Sequence, residues 1–230
     1  MLSKGQRLLE TVRHFSRINE AHILWFEHEL WKSFSSFYLV RRKFADASSS
    51  LLQLLDIEKT KLASLIPKDP VNENSPSEPL LLRHYSAVRN VAEIYRKLAA
   101  VELMRESSKD NTRADYMAAS KFYKEAVEVI KSALEIPLGD DEKNDIGKQL
   151  LKLRQFLALK MAVCQAGVAK CRVLLDRLEK AEEDYEKALR QFHDKDRKDH
   201  ILAGKRCKTY HILTDEFVRL QIRLNKENVV

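Results

Sequence analysis

Histidines, cysteines and carboxylates are the side chains of this sequence that could bind a metal or catalyse a reaction. The seven histidines show no spacing with cysteine or carboxylate that is typical of a metal site. Residues 28–32 read HELWK, which begins like the metal-binding helix of a zinc protease, but Lys32 stands where that motif needs its second histidine. Cys207 and His211 lie four residues apart on one predicted helical face. We interpret this pair as surface and packing residues, so the histidines predict no metal site.

The cysteines and glycines argue against two further kinds of site. Cys164 and Cys171 lie about 10 Å apart along a predicted helix, which is too far for a disulfide. Three cysteines give no disulfide framework, so we predict core thiols in a reduced, cytoplasmic protein. The five scattered glycines form no phosphate-binding loop. These observations predict that the protein is not an enzyme and that it binds no metal or cofactor.

Basic side chains are the remaining candidates for a binding site. The chain carries 41 Lys and Arg against 34 Asp and Glu, for a net charge of +7. This excess suits an anionic membrane or an acidic protein partner. Nucleic acid is not expected, because no nucleic-acid-binding motif accompanies the charge. Near an anionic bilayer each Lys or Arg contributes about 1 kcal/mol. We predict that three basic clusters bind the membrane or partner; the alternative is that they are only solvated helix faces. The clusters are Arg41, Arg42 and Lys43; Lys195, Arg197 and Lys198; and Lys205, Arg206 and Lys208.

The elements that would position these residues are predicted from the distribution of glycine and proline. Five of each in 230 residues is few for a fold with many tight turns, which favours long helices. We predict an all-α fold, a single domain built as an elongated, coiled-coil-like antiparallel bundle of three long helical segments. The nearly all-polar residues 105–115 either extend the second segment through solvent or break it in two. The predicted domain spans residues 1–230. Its helical runs span residues 6–66, 80–136 and 140–226, and the proline-rich loop spans residues 67–79.

The first run also carries a heptad pattern. Eleven of the fourteen a and d positions between Leu9 and Leu54 are apolar. Unbroken, this run would be a rod of about 90 Å. Trp25 lies beside the stripe, where we expect a half-buried side chain at a helix interface. The residues predicted for the core of this run are Ile23, Phe26, Leu30 and Phe37.

Two stretches resemble helices of the BAR-domain family. FSSFYLVRRKFADASSSLLQLL (residues 34–55) resembles the first helix of that family, and ADYMAASKFYKEAVEVI (residues 114–130) resembles its later helices. The resemblance would cover nearly the whole chain. It implies a non-catalytic homodimer whose curved basic face binds anionic lipid, in membrane trafficking or cytoskeletal organisation. Because no stretch of about 18 apolar residues could span a bilayer, this association with the membrane would be peripheral.

Two other stretches resemble the second helix of a tetratricopeptide repeat. They are YKEAVEVIKSALEIP (residues 123–137) and LEKAEEDYEKALRQ (residues 178–191), and their packing positions lie 55 residues apart rather than the 34 of that repeat. The resemblance implies helical hairpins with long helices. As the alternative function, it implies an adaptor that holds a partner peptide or helix in a groove near Tyr123 and Tyr185. Its packing positions are Ala126, Ile130, Ala133, Ala181, Tyr185 and Ala188.

Overall fold

The computed structural model describes residues 7, 11, 20–65, 78–105, 113–136, 145–192 and 208–227. From residue 20 onward these residues form seven α-helices and no strand, which confirms the predicted all-α class. A bundle of three long segments is not confirmed, because each predicted run contains more than one helix. The helices are α1 (Glu20–Val40), α2 (Phe44–Ser64), α3 (Glu78–Arg105), α4 (Arg113–Leu134), α5 (Asp145–Leu174), α6 (Leu178–Arg190) and α7 (Lys208–Glu227).

The predicted rod is interrupted by a three-residue turn. α1 ends at Val40, residues 41–43 reverse the chain, and α2 begins at Phe44. His28 Nε2 lies 3.3 Å from Glu58 Oε1. Residues far from the turn on both helices therefore face each other, so α1 and α2 form an antiparallel hairpin. The prediction of one unbroken helix is wrong: each of these helices has 21 residues and is about 30 Å long.

Backbone hydrogen bonds explain how the chain turns here without glycine or proline. The Lys43 amide donates to the Tyr38 carbonyl oxygen at 2.9 Å, and the Arg42 amide donates to the Leu39 carbonyl oxygen at 3.1 Å. This pair of bonds is the Schellman motif, which satisfies carbonyl groups that the helix end leaves free. The motif needs a left-handed residue after the helix, and Arg42 fills that position with φ of 54°. A left-handed arginine costs roughly 1–2 kcal/mol, which the packing of α2 on α1 offsets.

The same motif separates α5 from α6. The Arg177 amide donates to the Arg172 carbonyl oxygen at 2.9 Å. The Asp176 amide donates to the Val173 carbonyl oxygen at 3.1 Å, and Asp176 is itself left-handed, with φ of 57°. The third predicted run is thus also interrupted at a turn that contains neither glycine nor proline.

Each helix packs against the next one along the chain, and α3 packs against α5 as well. α3 ends at Arg105 and α4 begins at Arg113, with residues 106–112 outside the described part of the chain. Because α3 and α4 pack against each other, the second run is broken in two rather than extended through solvent. The result is a row of helical hairpins, α1–α2, α3–α4 and α5–α6, followed by α7. One hydrophobic cluster runs through all seven helices.

The buried face of α1 differs from the predicted heptad stripe. Trp31 and Tyr38 are 7 % and 3 % exposed and lie in the core, whereas Phe37 is 37 % exposed and Trp25 is 62 % exposed. The predictions of a core position for Phe37 and a half-buried one for Trp25 are therefore wrong. The buried face of α1 instead runs through Glu27, Trp31, Ser35 and Tyr38, which is offset by about one residue from the predicted stripe. The other predicted core residues of α1 are half-buried: Ile23, Phe26 and Leu30.

Periodicity within a single helix predicted burial correctly on α4 and α6. The six packing positions of the tetratricopeptide-like stretches all lie in the core. The three packing positions of each stretch lie inside one helix, so no turn shifts their 3.6-residue period. These positions are Ala126, Ile130, Ala133, Ala181, Tyr185 and Ala188.

A buried arginine joins three helices. Arg154 of α5 donates through Nη1 to the Tyr85 hydroxyl of α3 at 2.7 Å and to the Ile136 carbonyl oxygen at 2.6 Å. Through Nη2 it donates to the Leu134 carbonyl oxygen at 2.5 Å. The guanidinium thereby supplies positive charge and donors at the C-terminal end of α4, where free carbonyl groups carry partial negative charge.

Candidate interaction surfaces

The first predicted basic cluster forms the tip of the α1–α2 hairpin. Arg41, Arg42 and Lys43 are the three turn residues, and all three are exposed. The predicted unbroken run of residues 6–66 would place them in the middle of a helix, and that prediction is wrong. Val40, directly before them, is 83 % exposed, and the Arg41 guanidinium carbon lies 5.6 Å from the centre of the Phe37 ring. We call residues 37–43 the α1–α2 tip, a surface that combines three cations with exposed apolar side chains.

The other two predicted basic clusters lie almost entirely outside the described residues. Lys208, the first residue of α7, is described and exposed. Its predicted neighbours lie outside the described residues, so the two clusters remain predictions at the sequence level. These neighbours are Lys195, Arg197, Lys198, Lys205 and Arg206.

A cleft of about 310 Å³ lies between α5, α6 and α7. α6 runs antiparallel to α5, because Gln165 donates to Asp184 Oδ1 at 3.2 Å while Arg172 donates to the Lys180 carbonyl oxygen at 2.8 Å. α7 packs on α6 and meets α5 only marginally. The gap left between α5 and α7 is the cleft. Its walls and floor are lined by Lys170, Val173, Leu174, Tyr185, Glu216, Arg219, Leu220 and Arg223.

The floor of the cleft is the buried Tyr185 of α6. Its hydroxyl donates to Glu216 Oε2 of α7 at 3.1 Å. Burial, and secondarily the negative charge of Glu216, raise the pKa of Tyr185 well above its usual value, so the phenol stays protonated and remains a donor. Glu216 is therefore held against the floor. Beside it lie the apolar side chains of Val173, Leu174 and Leu220, of which Leu174 is 41 % exposed.

The rim of the cleft is basic on both walls. Lys170 of α5 and Arg219 of α7 are exposed, and neither forms an ion pair with any residue in the described ranges. Arg223 Nη2 lies 2.8 Å from Asp176 Oδ1 in an exposed ion pair. The cleft therefore presents an apolar floor between two unneutralised cations on facing walls.

Of the two tyrosines predicted to mark a groove, one lines the cleft and the other packs elsewhere. Tyr123 of α4 lies against Gly167 of α5, where a Cβ on the glycine would fall 2.7 Å from ring atoms of Tyr123. Burial raises the pKa of Tyr123 to about 12. Gly167 thus lets α4 and α5 approach closely, and Tyr123 serves that packing, whereas Tyr185 is the floor of the cleft.

Sequence reasoning did not single out the cleft residues as a site. Arg219 and Arg223 are four residues apart in the last helix, a spacing that places both on one face and is visible in the sequence. Lys170 lies about 50 residues earlier in the chain, and no local pattern connects it to them. Lys170 and Arg219 reach opposite walls of the cleft because α6 folds back along α5 and α7 then packs on α6.

Metal ligands, a reactive thiol and a membrane-spanning helix are further features that a functional site would use. Within those ranges, no group of three or more His, Cys, Asp or Glu side chains could hold a metal ion. Burial raises the pKa of Cys164 to about 12, so this thiol stays protonated and is a poor nucleophile. None of the described helices combines the length and the apolar character needed to cross a bilayer.

Comparison with known proteins returned no relative: the sequence matches no protein-family model and no curated protein.

Proposed function

We propose that this protein is a non-catalytic adaptor, a row of helical hairpins that binds a peptide or helix of a partner protein in the α5–α7 cleft. The observation that carries the proposal is the apolar surface that Val173 and Leu174 of α5 and Leu220 of α7 form beside the Tyr185 floor of the cleft. An amphipathic helix binds such a groove by placing its apolar face on the floor.

The size of the cleft favours a side-chain anchor over a cofactor. Pockets for drug-sized ligands measure about 300–1,000 Å³. At about 310 Å³ the cleft lies at the lower end of that range. It has room for one or two large apolar side chains, which is how a docked helix commonly gains most of its binding energy. The hairpin order of the helices also supports the tetratricopeptide-like resemblance, in which a groove of this kind holds the partner.

The adaptor function is tested with an apolar-anchored peptide and two matched variants. The probe is a fluorescent, stapled amphipathic helix of about 15 residues with a central tryptophan. Leu174 is exposed at the cleft, so Leu174→Glu should keep the fold and weaken binding at least tenfold in fluorescence anisotropy. Leu52 is similarly exposed on α2, so Leu52→Glu is the control and should bind like the wild type. Equal binding by all three proteins would show that the cleft does not hold the peptide.

A second candidate function, the one implied by the BAR-like resemblance, is binding of anionic membranes through the α1–α2 tip. Arg41, Arg42 and Lys43 would contribute about 3 kcal/mol near an anionic bilayer. Burial of the exposed Val40 side chain adds about 1.5 kcal/mol. Together these correspond to a Kd near 1 mM, too weak for stable attachment by one chain. The expected homodimer would present two tips and strengthen attachment through avidity.

Liposome pelleting distinguishes the membrane function from the adaptor. Vesicles rich in phosphatidylserine should pellet the protein at about 0.1 M salt and release it at about 1 M, where the Debye length falls to about 3 Å. Glutamate at all three positions 41–43 should abolish pelleting with unchanged helicity. Glutamate at the exposed Lys121, Lys131 and Lys152 is the charge-matched control and should have a smaller effect. Wild-type protein that stays in the supernatant at low salt excludes this function.

A further inference from the structure

The charges of the α5–α7 cleft indicate which kind of helix it would hold. Lys170 and Arg219 stand on facing walls, and neither has an acidic partner among the described residues. The carboxylate that lines the cleft, Glu216, already accepts a hydrogen bond from the Tyr185 hydroxyl at 3.1 Å. A ligand in the cleft therefore meets two cations that are free to pair and one anion that is engaged.

We infer that the cleft selects a partner helix with acidic residues on both sides of a large apolar anchor, an inference that rests on the proposed adaptor function. The anchor occupies the floor beside Leu174 and Leu220, and its flanking carboxylates pair with Lys170 on one wall and Arg219 on the other. A net charge of +7 on the whole chain attracts the same acidic partner over a longer range.

Charge placement separates this partner from other occupants of an apolar cleft. A neutral amphipathic helix would leave Lys170 and Arg219 without a counter-charge, and a basic helix would be repelled from both walls. A second copy of this chain would have to present an acidic helix, and its binding would depend on protein concentration. Facing cations around an apolar floor therefore favour an acidic helix with an apolar centre.

The test uses three stapled peptides that share one central tryptophan and differ in the flanking residues, which are all Glu, all Gln or all Lys. We expect the Glu peptide to bind the wild type about five- to tenfold more tightly than the Gln peptide at low salt, since two exposed ion pairs contribute that much. This preference should vanish at about 1 M salt, where exposed charges are screened. The Lys peptide should bind most weakly.

The protein variants reverse the preference. Lys170→Glu/Arg219→Glu changes two exposed side chains and should favour the Lys peptide over the Glu peptide. Lys131→Glu/Lys152→Glu, far from the cleft lining, is the control and should retain the wild-type order.

Each outcome bears on a different claim. If the Gln peptide binds as tightly as the Glu peptide, the acidic preference is wrong while the adaptor function stands. If no peptide binds, both fail. Sedimentation showing a wild-type dimer that Leu174→Glu converts to a monomer would assign the cleft to a second copy and overturn the inference.

Discussion

The α1–α2 and α5–α6 hairpins contain the same type of turn but differ in the side chains around it. Both turns have Schellman hydrogen bonds and a left-handed residue, Arg42 in the first and Asp176 in the second. Around Arg42 the side chains face solvent. Around Asp176 a third helix takes part, because Arg223 of α7 pairs with the aspartate at 2.8 Å. The same backbone thus produces a free tip in one hairpin and an anchored corner beside a cleft in the other.

The second turns of the helices that follow, α2 and α6, also differ in whether a charged residue takes part. Ser50 of α2 is buried and donates to the Asp46 carbonyl oxygen of its own helix at 2.9 Å. Asp184 holds the matching position on α6, and it pairs across the hairpin with Arg172 Nη1 of α5 at 2.7 Å. Near its turn the α1–α2 hairpin is held by apolar packing, whereas the α5–α6 hairpin is also tied by charge. The two turns therefore have the same backbone geometry, but their side chains make one exposed and tie the other to neighbouring helices by ion pairs.

The largest expected effect tests whether α1 and α2 are a true hairpin like α5 and α6. Trp31→Ala removes a buried aromatic side chain and should lower the free energy of unfolding by about 3–5 kcal/mol. Phe37→Ala removes a more exposed ring and should cost less than about 1 kcal/mol. Urea denaturation followed by circular dichroism measures both. The reverse order would restore the continuous heptad and remove the parallel between the hairpins.

A smaller effect is expected from the charged tie. Asp184→Ala removes the counter-charge of Arg172 and the hydrogen-bond acceptor of Gln165, and it should cost about 2–3 kcal/mol. Ser50→Ala, at the matching position of the other hairpin, loses one hydrogen bond within its helix and should cost about 1 kcal/mol or less. Calorimetry of both variants gives the comparison. Equal losses would mean that charge contributes nothing special to the α5–α6 hairpin.

The pH dependence of stability provides the control for Asp184. Burial raises the pKa of this carboxyl group, against the lowering effect of Arg172 and Gln165. The folded state therefore takes up a proton at a higher pH than the unfolded state does. Stability contributed by this group rises as the pH falls through the folded-state pKa toward 3.8. Asp184→Asn should remove that dependence, which melting temperatures measured between neutral and acid pH would show.

The smallest expected effect concerns the two left-handed residues. Glycine has no Cβ to strain a left-handed backbone, so Arg42→Gly should raise the free energy of unfolding by about 1 kcal/mol. Asp176→Gly should gain less, because it also loses the exposed pair with Arg223, worth about 0.2–1 kcal/mol. Thermal melts of the two variants measure the difference. A larger gain at Asp176 would contradict the anchoring role of that pair.

The helical class was predictable because it depends on composition and on periodicity inside single helices. Few glycines and prolines indicated helices, and Ala126 and Ala181 were correctly placed on packing faces. The hairpin boundaries were not predictable in this way. Both turns place a residue other than glycine in the left-handed position, and their backbone hydrogen bonds correspond to no particular residue type in the sequence. A search for glycine and proline passes over such turns.

The candidate surfaces were predictable only where their residues are neighbours in the chain. Arg41, Arg42 and Lys43 are consecutive, so the sequence revealed the cluster, although not that it forms a turn. Lys170 and Arg219 come together through the packing of three helices. That packing depends on how α7 sits on α6, which is a property of the assembled core rather than of any local pattern.

Gly167 gives the cleft a mechanical dependence on a site outside its lining. The glycine lies one helical turn before Lys170 on α5, and the Tyr123 ring of α4 fills the space of its missing side chain. A larger residue at this position would have to displace the Tyr123 ring or move α4 away from α5. The residues that follow on α5, Lys170, Val173 and Leu174, line the cleft. A substitution of Gly167 is therefore expected to shift one wall of the cleft.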